Sequence, residues 1–333
     1  MPTNVRRCAA RLSVSVALFL AVATPVVGAA RAWQKVRVAA PGPYVDVIAA
    51  FGGLWLSSAS VRGFVWVPAS GPSKIFSSPG FTPAYLTLGQ DGRVWATDVH
   101  RPDTLGAITP QGQVTLYQLS GVDKIPASKL TALGNYGLMY VGAKSEVVSI
   151  FNGSGGGEPY PSGITDNRDI AMTTVPGFIV WFTECCWPLG GAIGVRTAYA
   201  GINEVPLPYT ECETPAGLTW AADLKLYISC SGKRDTLLVV YNQGNGTQRA
   251  LPFPGRYVSR INSEAAGSDG NVYFAPGIGA GLVEYQVKNR VFVTIPTPDK
   301  TPARVVTTGT DAVADALYVV AGAGSVLYKY AIR

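Results

Sequence analysis

Short apolar runs separated by polar or glycine-rich turns fill the chain from residue 33 onward, and one kind of run recurs seven times. Each ends near a bulky residue, at Trp55, Trp95, Met139, Trp181, Tyr227, Tyr273 and Tyr318, spaced 40 to 46 residues apart. A turn precedes the marker, clearest in Gln90-Asp91-Gly92-Arg93-Val94-Trp95 and Ser268-Asp269-Gly270-Asn271-Val272-Tyr273. Asp-Gly between two apolar runs predicts a hairpin, because glycine takes a positive φ without a Cβ clash. A repeat of about 44 residues with four strands per unit is the sequence mark of a β-propeller blade. The predicted fold is therefore all-β, a single seven-bladed β-propeller.

Each unit divides into strands a to d. Strand a is predicted at residues 45–48, 85–88, 129–132, 169–172, 217–220, 261–264 and 304–307, and strand b ends at the markers. Strand c includes residues 106–109, 237–240 and 326–329, and strand d residues 114–117, 204–207 and 291–294. The last unit runs out at Arg333 without a strand d, while an unused strand, Trp33 to Val38, precedes the first strand a. That strand is predicted to close the last blade, with Val36 to Val38 beside Val326 to Tyr328, since an open edge would expose backbone donors and acceptors.

The first 32 residues read differently. Arg6, Arg7 and Arg11 precede an apolar stretch from Leu12 to Val27, and Ala30-Arg31-Ala32 fits a small-x-small cleavage site. This is the pattern of a secretory signal peptide. The expected organisation is residues 1–32 as signal peptide and 33–333 as the propeller, secreted or periplasmic, with no membrane span in the mature chain. Removing Arg6, Arg7, Arg11 and Arg31 lowers the formal net charge from +6 to +2. A nearly neutral chain lacks the basic footprint that nucleic acid requires. One propeller of this length is expected to be a monomer.

Leu88-Gly89-Gln90-Asp91-Gly92-Arg93-Val94-Trp95-Ala96-Thr97-Asp98 followed by Leu105-Gly106-Ala107-Ile108-Thr109-Pro110-Gln111-Gly112 resembles a blade of the streptogramin B lyase (virginiamycin B lyase-like) family, and so does Val180-Trp181-Phe182-Thr183-Glu184. The resemblance implies the propeller fold and a metal-dependent eliminating lyase that uses histidines on the channel face. The histidine positions before strand a hold Pro83-Ala84, Asn167-Arg168, Pro215-Ala216, Ser259-Arg260 and Pro302-Ala303 here, and the one histidine is His100. The motifs shape hairpins, so they speak to fold before function.

In a propeller the d-to-a and b-to-c connections share one face, and three sets of candidate residues fall on it. The first is Cys185, Cys186, Cys212 and Cys230, all at the junction of blades four and five. An even count in an oxidising compartment predicts disulfides, with three connectivities open, one of them Cys185–Cys186 plus Cys212–Cys230. The alternative is a thiolate metal site or a redox pair. The second set is basic. Lys129, Arg168, Arg260 and Arg304 lie at the starts of strands a, where they would rim the channel and clamp a carboxylate or phosphate. Asp46, Asp169 and Glu264 lie on the same strands and would instead neutralise them. The third set, Asp98, His100 and Glu184, lies at the ends of strands b in blades two and four. These residues could share a divalent cation or act as an acid/base pair, or else cap loop amides beside a solvated histidine.

The reading that results is an exported binding or scaffolding propeller. It engages a small anionic ligand or a protein partner on its funnel face, with no nucleic acid. The alternative is a metal-dependent lyase or lactonase of the streptogramin lyase-like type.

Overall fold

The computed structural model describes residues 32–119, 129–132, 137–141, 147–150, 157–160, 172–175, 179–187, 190–196, 202–208, 212–231, 236–253, 261–276, 281–299, 304–307, 316–321, 324 and 326–332. The region predicted as a signal peptide lies outside them, save Ala32. So do Arg168, Asp169 and Arg260, and of Cys185, Cys186 and Arg304 the backbone alone is described. Among the described residues, all regular structure is strand, in seven four-stranded antiparallel sheets. Among the described residues no helix is long and apolar enough to cross a membrane.

Blade one contains β2 (Tyr44–Ala50), β3 (Gly53–Ser58), β4 (Gly63–Pro68) and β5 (Lys74–Ser77), preceded by β1 (Trp33–Val36). Blade two is β6 (Pro83–Leu88), β7 (Val94–Asp98), β8 (Thr104–Ile108) and β9 (Val114–Gln118). Blade three is β10 (Leu130–Ala132), β11 (Leu138–Val141), β12 (Val147–Ile150) and β13 (Gly157–Tyr160). Blade four is β14 (Met172–Val175), β15 (Ile179–Trp187), β16 (Gly190–Arg196) and β17 (Ile202–Pro206). Blade five is β18 (Thr214–Trp220), β19 (Lys225–Ser231), β20 (Thr236–Asn242) and β21 (Gln248–Pro252). Blade six is β22 (Ile261–Ala266), β23 (Val272–Pro276), β24 (Gly281–Gln286) and β25 (Val291–Pro296). Blade seven joins β26 (Arg304–Thr307), β27 (Ala316–Ala321) and β28 (Val326–Ala331) to β1, in the order β1-β28-β27-β26.

The closure strand is real, but its register differs from expectation. Trp33 pairs with Tyr330 and Val36 with Leu327. Val38 has left the strand and packs on the core between blades seven and one. The first strand of blade four is likewise displaced, to residues 172–175 instead of 169–172. Cross-strand pairing fixes it there, with Thr173 opposite Trp181 and Met172 opposite Phe182.

The core lies between blades, not inside them. Each apolar cluster draws on two neighbours, as where Val47 and Leu54 of blade one meet Tyr318 and Val320 of blade seven. Strands b are therefore covered on both faces, and β3, β7 and β23 are buried at every residue. The outer strands are mostly solvated, as in β9. This gradient is why the marker run reads as continuously apolar while strand d does not.

The turn before the marker holds the marker's polar tip. Asp269 Oδ2 accepts a hydrogen bond from the Tyr273 hydroxyl at 2.7 Å, and Asp223 Oδ2 one from Tyr227 at 2.9 Å. Asp91 accepts one from the Trp95 indole N–H at 3.1 Å. A buried Tyr or Trp needs such a partner. Trp55 has Phe51 four residues before it, and its indole N–H is buried without a partner among the described residues.

Candidate functional site

The ends of strands b and the starts of strands a converge on one face of the ring. Its best-anchored point is the junction of blades four and five. Cys212, in the connection from β17 to β18, and Cys230, near the end of β19, form a disulfide. Both are buried, and Cys212 is tied in further by its N–H to Pro208 O at 2.9 Å. Cys185 and Cys186 fall in β15 where the pairing register shifts between Glu184 and Trp187.

Asp98 is committed to its own loop. The side chain is buried at the end of β7, where Oδ1 accepts the N–H groups of His100 at 2.7 Å and Arg101 at 3.1 Å. Oδ2 accepts the Thr82 N–H at 3.3 Å and stands 3.4 Å from the Arg101 guanidinium. This network fastens the b-to-c loop of blade two to the entry of its strand a. His100 is exposed beside it.

Glu184 belongs to a different environment, between blades three and four. Register places it on the same face of the sheet as Phe182, Gly194 and Glu204. Trp181 and Ile193, on the other face, pack against blade five. The Glu184 side chain is 1% exposed, and neither carboxyl oxygen has a hydrogen-bond partner among the described residues. Burial, and then the nearby charge of Glu204, push its pKa up to about 8. No described contact joins Glu184 to Asp98 or His100, so the structure does not gather the three into one cluster. Among the described residues there is no group of three or more His, Cys, Asp and Glu side chains placed to hold a metal ion.

Of the residues at the channel, Asp46 Oδ2 accepts the Leu86 N–H at 2.9 Å, which ties strand a of blade one to that of blade two. Glu264, on β22, is part-exposed along its stem, but both carboxyl oxygens are sealed from solvent. Burial raises its pKa to about 8. Ser229 of β19, beside it but outside good hydrogen-bond geometry, and the Lys129 ammonium from the foot of β10 both work against that rise. Gly217 makes room for this carboxyl, since a Cβ there would stand 2.6 Å from Glu264 Oε2. The charge of Lys129, in blade three, thus reaches Glu264, in blade six. A pKa near 8 favours the protonated form of both carboxyls at neutral pH. The sequence offered no sign of this, because the burial that raises them comes from neighbouring blades.

No protein-family profile matches the chain, and no curated protein matches it. Solved structures share its fold. Virginiamycin B lyase from Staphylococcus aureus superposes with a TM-score of 0.73 at 17% identity, over 91% of this chain and 99% of that one. YCF48 bound to D1 peptide superposes at 0.64 with 12% identity, over 90% and 94%. The extracellular domain of the putative one component system BT4673 from B. thetaiotaomicron superposes at 0.66 with 9% identity, over 89% of this chain and 39% of that one. The resemblance to streptogramin B lyases therefore holds at the level of fold.

Proposed function

We propose that this chain is an exported binding or scaffolding propeller that engages a small anionic ligand or an acidic protein segment on the disulfide-bearing face. The observation that supports this reading is that Lys129, at the foot of strand a in blade three, lies near enough for its charge to act on Glu264 in blade six. Residues opening strands a on distant blades share one field at the axis. Arg304 opens β26, Arg260 immediately precedes β22 and Arg168 stands four residues before β14, and they would add guanidiniums that grip a carboxylate or phosphate in a bidentate manner. A solved propeller of the same fold, YCF48, is bound to a peptide, in keeping with a protein or peptide partner. Export rests on the leader pattern of residues 1–32 and accords with the disulfide.

The test is calorimetric titration of the mature chain with citrate and with an acidic peptide. A charge-assisted contact of about 1.5–3 kcal/mol means that Arg260→Ala weakens binding by about one to two decades with little change in melting. Equal affinity in the variant refutes the assignment. For the lyase alternative, elemental analysis of purified protein is decisive, since a stoichiometric divalent metal would favour it.

A further inference from the structure

The opposite face of the ring carries a cleft between blades five and six. It is bordered by the a-to-b turn of blade five and by the c-to-d turns of blades five and six, the far ends of strands whose other ends reach the disulfide face. Cross-strand register builds its floor. Tyr227, Val240 and Arg249 form one row across blade five, and Val272, Tyr285 and Phe292 form the facing row of blade six. The apolar members of the two rows pack together, with the Tyr227 and Tyr285 rings 5.9 Å apart. Arg249, at the outer end of its row, is left exposed at the rim. Arg290, from the turn after β24, stands on the other side of the cleft.

The charges here do not cancel. Asp223 Oδ2 takes the Lys225 ammonium at 2.7 Å, so those two compensate each other. Neither Arg249 nor Arg290 forms an ion pair with a carboxylate among the described residues. Two guanidiniums therefore face one polar cleft lined also by Asn242, Thr247 and Gln248.

The backbone supports a role for this place. In the c-to-d turns of blades one, two and five the left-handed position is held by Gly71, Gly112 and Gly246, whereas blade six places Arg290 there with φ 57°. In the a-to-b turns of blades two and six it is held by Gly92 and Gly270, whereas blade five has Leu224 with φ 60°. Both of these turns border this cleft, while the third non-glycine residue at positive φ, Phe51 with φ 54°, lies in the a-to-b turn of blade one. A side chain in that region costs of order 1–2 kcal/mol, and such strain collects at functional sites.

We propose that this cleft is a binding site for a small hydroxylated anion, a sugar acid, with Arg249 and Arg290 holding its carboxylate and with Asn242 Nδ2 and Gln248 Oε1 reading its hydroxyls, the other ends of these amides being held by the Gly244 N–H and by Pro206 O. The cleft holds about 190 Å³, below the roughly 300 Å³ at which pockets for drug-sized ligands begin, so the occupant is a single small molecule. The site is separate from the disulfide face and does not depend on the function proposed there.

Titration of the mature chain with glucuronate, followed by NMR or calorimetry at low salt, tests it, with glucose as the neutral probe. Glucuronate is expected to saturate with a millimolar dissociation constant and glucose not to bind. Arg249→Gln and Arg290→Gln should each weaken glucuronate binding by about tenfold or more. Arg290→Gly should weaken it equally while raising the melting temperature, because it removes both the charge and the strain. Arg93→Gln, on blade two, should leave binding unchanged. Absence of saturable glucuronate binding, or unchanged affinity in the doubly substituted Arg249→Gln, Arg290→Gln protein, would overturn the proposal.

Discussion

Replacing Glu184 with glutamine should remove one term from the pH dependence of stability. In the unfolded chain this carboxyl titrates near its ordinary value of 4.5, and in the folded one burial and Glu204 hold it at about 8. A raised folded pKa means that the native state keeps a proton the unfolded state has already lost. The stabilisation is fully present below about pH 4.5 and is lost as pH rises through about 8. Within that window each pH unit lowers the stability of the parent by about 1.4 kcal/mol from this group alone. Glutamine has nearly the same shape and does not titrate, so the term vanishes. Relative to the parent, Glu184→Gln should therefore gain about 1.4 kcal/mol per unit between pH 5 and 8, and level off above. The other groups, Glu264 included, are common to both proteins and cancel in the difference. Urea unfolding at several pH values from 5 to 9 measures this directly. In a domain this large, 1 kcal/mol corresponds to about 2–4 °C in melting temperature, so thermal scans would resolve it as well. Parallel curves for parent and variant would show that Glu184 is ionised in the folded protein at neutral pH. The desolvation argument would then be wrong.

Deleting residues 33–39 removes β1 and leaves β28 with an unpaired edge, so the truncated chain should melt well below the parent or aggregate; equal melting would refute closure by this strand. Cys212→Ser with Cys230→Ser opens a crosslink between residues 18 apart in sequence. Chain-entropy models put the loss at roughly 3 kcal/mol, readable in urea titration, and thiol titration of the denatured exported parent should find neither cysteine free.

The repeat was legible because local chemistry and global fold agree in it. Asp-Gly fixes the turn, and the same Asp caps the marker side chain four residues on, so Asp91–Trp95 and Asp269–Tyr273 are each visible as a pair in the sequence. Strand boundaries were less legible where that agreement lapses. Blade four has no Asp-Gly before Trp181, and its first strand lies three residues later than expected. The closing strand was identified by the missing partner of β28, but its register depends on Trp33 packing against Tyr330, with ring centroids 4.8 Å apart. No periodicity reports such a contact.

The candidate sites divide along the same line. Residues whose role lies within one blade could be weighed from sequence, and Asp98 is such a case, since every partner it holds is within sixteen residues of it. Residues whose role depends on the neighbouring blade could not. Glu184 and Glu264 look like ordinary acids until the facing blade seals them. Arg249 and Arg290 are unremarkable cations, 41 positions apart, until the inter-blade register sets them on one cleft. In a propeller the core lies between repeats, so chemistry that depends on burial arises there as well. The repeat unit alone therefore specifies the scaffold, and its departures from pattern mark where function is to be sought. Among the described residues three non-glycine side chains stand at positive φ at a cost in backbone energy, Phe51 alone in blade one and Leu224 and Arg290 together at the junction of blades five and six. Leu224 and Arg290 flank one cleft, which is why that junction is a better place to look for a ligand than any motif shared by all the blades.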